Sequence, residues 1–215
     1  MKEHLIHLSC GEFSEQLASK APVPGGGGTA ALIGALAAAL GTMAANLTVG
    51  KKEFLPFEED HRRIIRETDA LRRRFLSLIE EDAAAFEPLS QAYSMDRNAP
   101  DYSKVMTAAT LRAAQPPFTM MRCCCDLIVL LEELREKCSV LLLSDASCAA
   151  ASARAALECA AMNVLVNTRL LPDNTTAQEM AGQVGAMLRE YIPRAQAVSD
   201  SVTEYLKEPS HKKSS

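Results

Sequence analysis

Apolar residues between positions 58 and 92 recur at alternating three- and four-residue steps, which is the spacing of one buried helix face. The two interleaved series are Ile64, Leu71 and Leu78, and Thr68, Phe75, Asp82 and Leu89. This pattern predicts a long helix over 58–92, with Pro88 as the position of a kink. One position of the apolar face is occupied by an acid, Asp82.

The rest of the chain has the pattern of further helices separated by turn-rich breaks. The predicted helices cover 12–20, 29–48, 103–137, 145–169 and 176–207. Their local signals are an interruption at Pro116 and Pro117, an N-cap at Ser144 and Asp145, a capping box from Thr176 to Glu179, and a bend at Pro193. No segment has a clear strand pattern, so the predicted fold class is all-α, a bundle of long helices.

Composition narrows this picture to a core of small side chains in one domain. Of 215 residues, 48% are hydrophobic but only 5% are aromatic, and Trp is absent. Such a core favours closely packed helices over sheets, which prefer β-branched and aromatic residues. We expect one helical domain over 1–208 and a flexible tail over 209–215. Several helices are longer than a compact monomer requires, which predicts a homodimer.

Charge and cysteine content exclude several classes of function. A net charge of −4 and a pI near 5.6 argue against nucleic-acid binding, which relies on a basic surface. The seven cysteines form no CxxC pair, and three of them are consecutive, at 123–125, where they cannot easily surround a metal. Residues 1–10 lack the apolar core of a signal peptide. We therefore expect a cytoplasmic protein without a metal site.

A run of four glycines, Gly25–Gly28, follows Pro22-Val23-Pro24 and leads into the segment 29–48. Two interpretations stay open. The N–H groups of a helix N-terminus preceded by glycines suit a carboxylate or phosphate, and glycines equally allow two backbones to pack closely.

The segment 29–48 itself is long enough to cross a membrane. Its Ala-, Gly- and Thr-rich composition and the polar Asn46 favour a buried core helix instead. Gly34 and Gly41 are seven residues apart, so they lie near one face and would let another helix approach. An unrelated membrane dimer built on these glycines remains an alternative.

Asp82 is the candidate with the most specific chemistry. A carboxyl group among apolar side chains has a raised pKa because burial disfavours its charged form. General acid–base catalysis uses such groups near neutral pH. The alternative is a structural ion pair with Arg112 or Arg122.

A second polar group lies in the Ala-rich segment 145–169, where Asn163 and Asn167 are four residues apart and share a helix face. Buried amides need hydrogen-bond partners. These two amides can bond each other, a backbone carbonyl or a ligand, and the same question applies to Asn46.

Four segments resemble the cyclodeaminase/cyclohydrolase family of tetrahydrofolate enzymes, and they cover 22–52, 80–86, 113–117 and 144–167. The resemblance covers most of the chain in the family's order. It implies an all-helical homodimer, an active site at the glycine run and the acidic helix, and a catalytic role for Asp82. Two regions depart from the family's pattern: Lys137-Cys138-Ser139-Val140 stands where Gly-Asn is usual, and 94–102 lacks a Leu-Pro-Lys-like sequence. Substrate contacts from these regions are not expected to carry over.

The resemblance implies a substrate and two reactions at the bridge between N5 and N10 of tetrahydrofolate. We expect methenyltetrahydrofolate cyclohydrolase activity, because the chain carries no transferase domain that would supply formimino-folate. Formiminotetrahydrofolate cyclodeaminase is the alternative within the family, and a non-catalytic folate-binding helical dimer is the alternative of another class. The folate is the substrate, with or without a polyglutamate tail, and no tightly bound cofactor is expected. The predicted substrate-binding residues are Pro24, Gly25, Gly26, Gly27, Gly28, Asn46, Lys51, Lys52, Ser144, Asp145, Asn163 and Asn167.

Overall fold

The structure, a computed structural model, describes residues 4–207, and the predicted tail at 209–215 lies outside the described residues. This part of the chain contains six α-helices: α1 Cys10–Leu17, α2 Gly26–Asn46, α3 Glu58–Ala92, α4 Tyr102–Lys137, α5 Leu143–Thr168 and α6 Thr175–Lys207. Short 3-10 turns occupy Leu5–His7, Lys52–Phe57 and Val140–Leu142. Because no strand occurs within 4–207, the predicted all-α class is confirmed for this part of the chain.

Several predicted boundaries are wrong for physical reasons that act locally. Helix α4 continues through Pro116 and Pro117, since both are buried against neighbouring helices and packing compensates for the lost N–H groups. Helix α3 continues through Pro88 and α6 through Pro193, as the predicted extents of these helices require, and the kink and the bend at the two prolines stay predictions.

The predicted caps of the last two long helices are also misplaced. Helix α5 begins at Leu143, directly after a 3-10 turn, so Ser144 and Asp145 lie in its first turn and do not cap it. At α6 the side chain of Asn174 accepts the Ala177 N–H at 3.0 Å, and the capping role assigned to Thr176 falls to Asn174.

Four helices form a closed ring around the core: α2 packs against α3 and α5, and α4 packs against the same two helices. Helix α6 covers the outside of α5 and α4. All eleven buried residues of α2 are Gly or Ala, and seven of the eleven in α5 are Ala. Since side chains this small let helix backbones approach closely, the small-residue composition is what makes this ring possible.

Glycines of α2 mark where its neighbours touch it. A Cβ at Gly34 would lie 2.6–2.8 Å from ring atoms of Phe75, and one at Gly41 would lie 2.9 Å from Leu131 Cδ2. The prediction that Gly34 and Gly41 admit another helix is confirmed, and the helices are α3 and α4 of the same chain. Near the start of α2, Gly28 faces Ile79. Position numbers rise along α2 as they fall along α3, so the pair is antiparallel and the start of α2 meets the C-terminal half of α3.

Two segments, Gly26–Asn46 and Val140–Thr168, are long and apolar enough to span a membrane by length and composition. In the folded chain both belong to the helix ring, with 56% and 39% of their most apolar windows buried. Core helices of a bundle pass the same test, which explains the hydropathy of α2. The lower buried share of the second segment reflects an exposed apolar face on α5.

Candidate active site

Asp82 lies on α3 where the helix passes the start of α2. Its neighbours Phe75, Leu78 and Ile79 are fully buried, as the seven-residue pattern predicted. The Asp82 carboxyl lies so close to the Cα of Gly27 that a Cβ at this position would overlap it. Burial raises the pKa of Asp82 to about 6, although a hydrogen bond from the Gly28 N–H acts in the opposite direction.

No basic side chain neutralises Asp82 among residues 4–207, so the ion-pair alternative is wrong. Arg112 is exposed. Arg122 lies over the Phe118 ring at 4.6 Å and points a guanidinium nitrogen at Gln183. Desolvation is therefore the main effect on the pKa of the Asp82 carboxyl group.

The start of α2 explains why this acid is tolerated without a cation. Gly25 is the N-cap residue and has no side chain that could cap the first N–H groups of the helix. These N–H groups and the positive end of the helix dipole favour a nearby anion. The anion at this helix N-terminus is the Asp82 carboxylate of the same chain. The glycine run therefore presents N–H groups to an anion and also allows α3 to pack closely against α2, so both interpretations apply to one arrangement.

Gly26 and Gly27 allow two polar side chains, one from α3 and one from α5, to pack directly against the backbone of α2. A Cβ at Gly26 would lie 2.9 Å from Nδ2 of Asn163, and one at Gly27 would overlap Asp82. The run thus brings α3 and α5 to the same turn of α2, and any larger residue at either position would displace a polar group.

Asn163 and Asn167 lie on the shared face of α5 that was predicted for them, and each amide has a defined orientation. Nδ2 of Asn163 donates to the backbone oxygen of Cys159 at 2.8 Å, and Nδ2 of Asn167 donates to the backbone oxygen of Asn163 at 2.8 Å. Of the alternatives considered, the backbone-carbonyl partner is the one observed.

A cavity of about 480 Å³ lies in front of Asp82 and is enclosed by α2, α3, α4 and α5. Its lining consists of Pro22, Val23, Gly25, Gly26, Gly27, Asp82, Phe86, Leu89, Tyr93, Ala113, Pro117, Asn163, Val166, Asn167, Arg169 and Leu170. The walls are mainly apolar, with a few convergent polar groups, as in sites for small molecules.

Sequence reasoning missed several of these residues. Phe86, Leu89 and Tyr93 follow Asp82 at steps of four, three and four, so the helix period already placed them on its face. Arg169, the one basic residue of the lining, follows the C-terminal end of α5 and is exposed. No sequence pattern distinguished it from other surface arginines.

Seven predicted binding residues do not line the cavity. Pro24 and Gly28 are buried beside it, where the Pro24 ring packs close to Gly28. The other five lie at or beyond the far ends of α2 and α5: Asn46, Lys51, Lys52, Ser144 and Asp145.

Helix length explains why these five residues lie far from the cavity. Gly26 and Asn46 are twenty positions apart, which corresponds to roughly 30 Å at 1.5 Å per residue. Ser144 and Asp145 precede Asn163 by five turns of α5 for the same reason. Within one subunit none of these five residues lines the cavity, and their binding role stays a prediction.

One uncompensated carboxyl group in a largely apolar cavity of a helical bundle is an arrangement typical of an acid–base enzyme. The family model described as formiminotransferase-cyclodeaminase matches residues 9–186. The chain belongs to this family.

Relatives within the family carry two different activities in their names. The chain is 37% identical over 200 residues to methenyltetrahydrofolate cyclohydrolase of Methylorubrum extorquens, a match covering 91% of this chain and 94% of that protein. It is 27% identical to formimidoyltransferase-cyclodeaminase of Rattus norvegicus, covering 94% of this chain but only 38% of the rat protein. The crystal structure of formiminotetrahydrofolate cyclodeaminase from Thermotoga maritima superposes with a TM-score of 0.81 at 29% identity, over 92% of this chain and 98% of that one.

Proposed function

We propose that the protein is a methenyltetrahydrofolate cyclohydrolase, which converts 5,10-methenyltetrahydrofolate and water to 10-formyltetrahydrofolate. The observation that carries this function is the Asp82 carboxyl group, held in the cavity with a pKa of about 6 and no counter-charge. The full-length similarity to the Methylorubrum extorquens cyclohydrolase supports the choice of reaction.

In this reaction Asp82 transfers one proton twice. Its carboxylate takes a proton from water as the water oxygen bonds to the methenyl carbon, giving a carbinol bridged between N5 and N10. The carboxylic acid then returns the proton to N5 while the C–N5 bond breaks. The hydroxyl proton leaves to solvent as the formyl C=O forms on N10, which balances the net release of one proton. The carboxylate also stabilises the cationic methenyl group electrostatically.

The same residue supports cyclodeamination, and the similarity to the Thermotoga maritima cyclodeaminase favours this second candidate. N10 would attack the carbon of the protonated formimino group (–CH=NH2+) of 5-formiminotetrahydrofolate. Asp82 would accept the N10 proton and deliver it to the departing nitrogen, which leaves as ammonia. The two reactions share the C1 carbon and the proton shuttle, so one site geometry serves both.

Arg169 is the residue we assign to the glutamate end of the folate. It lines the Asp82 cavity and also a second, apolar cavity of about 570 Å³ between α5 and α6. A guanidinium group binds carboxylates in bidentate fashion, so a single glutamate or the first residue of a polyglutamate tail fits here. Proton transfer and substrate orientation are the protein's contribution, and the proposal requires no tightly bound cofactor.

A homodimer is part of the proposal, because α2 and α5 leave apolar residues uncovered. Leu36, Leu47, Met162 and Val166 are between 51% and 58% exposed. No charged residue occurs in α2. A second copy of the chain would cover these faces. We expect a cytoplasmic enzyme that binds neither nucleic acid nor membrane, consistent with its net charge of −4.

The test is a pair of assays on the purified protein, one following loss of methenyl absorbance and one following ammonia release from 5-formiminotetrahydrofolate. We expect turnover in the first assay, and a loss of kcat of at least about 100-fold in Asp82→Asn. Glu81→Gln is the matched control, because Glu81 is exposed and pairs with Arg74 on the outer face of α3. Turnover in the ammonia assay alone would assign the cyclodeaminase. Tight folate binding without either turnover would assign a non-catalytic binding protein.

A further inference from the structure

The two amides on α5 present the same kind of atom to the cavity. Each Nδ2 group is hydrogen-bonded to a backbone carbonyl of the preceding turn, at 2.8 Å in both cases. A carbonyl oxygen can only accept, so the atom that meets it must be the amide nitrogen, and the orientation of both side chains is fixed by chemistry. The oxygen Oδ1 of each amide remains as the acceptor.

Neither Oδ1 atom has a hydrogen-bond donor of its own among residues 4–207, although both side chains line the cavity and are partly buried. Neither oxygen is among the fully buried atoms without a partner in 4–207, so both acceptors are open to the cavity and can accept from a ligand. Because the amides are four residues apart on a helix, their Cβ atoms are separated by roughly 5–6 Å. The site therefore offers two acceptors in a row along α5.

We propose that Asn163 and Asn167 recognise the donor edge of the substrate's pterin ring, accepting from the 2-amino group and N3–H. This inference rests on the proposed function, because it takes the substrate to be a tetrahydrofolate whose C1 carbon lies at Asp82. The donor edge lies on the pyrimidine side of the ring, away from the N5–N10 bridge. Asp82 and the amides would thus contact opposite parts of one ring system, with the apolar walls of the cavity covering its faces.

The arrangement also predicts which rings are rejected. A methyl group in place of the 2-amino group would leave an amide oxygen without a donor. A carbonyl group at this position would bring two acceptor oxygens against each other. A site whose buried polar groups are left unpaired discriminates strongly against the incorrect ligand.

The experiment compares binding of tetrahydrofolate and its 2-desamino-2-methyl analogue by anaerobic calorimetry. We expect the wild-type protein to bind the analogue about 10-fold more weakly, the factor that corresponds to ~1.4 kcal/mol for one lost hydrogen bond. Both Asn163→Leu and Asn167→Leu should bind tetrahydrofolate more weakly, and the variant that loses the acceptor of the 2-amino group should have a discrimination ratio close to one. Asn98→Leu, in the exposed 94–101 loop, is the control that should keep the ratio of the wild type.

Equal affinity of the wild-type protein for both ligands would overturn the inference without any variant being made. A ratio that stays near 10 in both Leu variants would also overturn it. A ratio that persists there but is lost in Asp82→Asn would place the pterin edge on Asp82. The proposed function fails separately, by absence of turnover of either folate substrate in a protein that still discriminates the two ligands.

Discussion

A single carboxyl group decides the chemistry at the residue scale. Two effects on Asp82 oppose each other: burial raises its pKa, while the Gly28 N–H and the dipole of α2 stabilise its charged form. Burial is the larger effect, and the pKa moves from 3.8 to about 6. At neutral pH the group is a carboxylate that can still be protonated during a catalytic cycle.

The raised pKa makes a prediction about stability. Between pH 4 and 6 the folded protein keeps a proton on Asp82 that the unfolded chain has lost, so unfolding becomes easier as pH rises through this window. Asp82→Asn removes the ionisation and should be more stable than the wild type by about 1–3 kcal/mol at pH 7.5. Thermal unfolding at pH 7.5 and pH 4 checks this. A variant less stable than the wild type at pH 7.5, or an equal gain at both pH values, would contradict the assigned pKa.

Gly27 gives a second prediction at this scale, because the Asp82 carboxyl occupies the space of its missing side chain. Gly27→Ala should displace the carboxyl and lower kcat by at least about 10-fold. Gly182→Ala is the control, since a Cβ there meets nothing within 4 Å. Activity assays and a crystal structure of Gly27→Ala would test the displacement. Unchanged kcat in this variant would mean that the position of Asp82 is not critical.

The residue scale also shows how far sequence reasoning reaches. Asp82 was identified because it is an acid at a position of the apolar helix face, and Asn163 and Asn167 because they are four residues apart. Both signals follow from helix periodicity, which is visible in the sequence. Arg169 was missed because its place in the cavity lining depends on which helix ends meet. That pairing follows from antiparallel packing of whole helices, which no local pattern encodes.

At the element scale, α2 is the helix that every other part of the site depends on. It contacts α3 through Gly27, Gly28 and Gly34, and α5 through Gly26. The helix class and most helix positions were predictable, but the glycines were predicted as a loop. Tertiary packing, which supplies Asp82 and Asn163 as neighbours, is what allows α2 to begin at Gly26.

Gly34→Ala tests this close packing away from the site. The added methyl group would lie 2.6–2.8 Å from Phe75, which is fully buried and cannot move easily. We expect a loss of about 1–3 kcal/mol in the free energy of unfolding. Chemical denaturation measures it, and Gly34→Ala with Phe75→Leu should recover part of the loss. A variant as stable as the wild type would show that α2 and α3 are packed less tightly than described.

At the scale of the whole molecule, the ring of four helices and the outer α6 leave one kind of surface unexplained, the apolar faces of α2 and α5. A homodimer would cover these faces, and it stays a prediction that rests on helix length and on the exposed residues together. The dimer would also explain why the segment Val140–Thr168 has the hydropathy of a membrane span although only 39% of its most apolar window is buried within one subunit.

Leu36→Lys should therefore convert the protein to a monomer, because a charge would be desolvated in the interface. Light scattering after size exclusion gives the mass directly. Leu55→Lys is the control, since Leu55 is 54% exposed but belongs to the 3-10 turn after α2. A wild-type protein that is monomeric at micromolar concentration would contradict the proposed assembly.

The central claim is that Asp82 is the proton shuttle of a folate C1 enzyme. Its most direct test is the pH dependence of kcat/KM for hydrolysis of 5,10-methenyltetrahydrofolate, corrected for the rate without enzyme. The account predicts that kcat/KM rises with pH, reaches half its maximum near pH 6 and is constant above about pH 7, with this limb absent in Asp82→Asn. A profile that is flat from pH 5 to 8, or the same limb in Asp82→Asn, would contradict it.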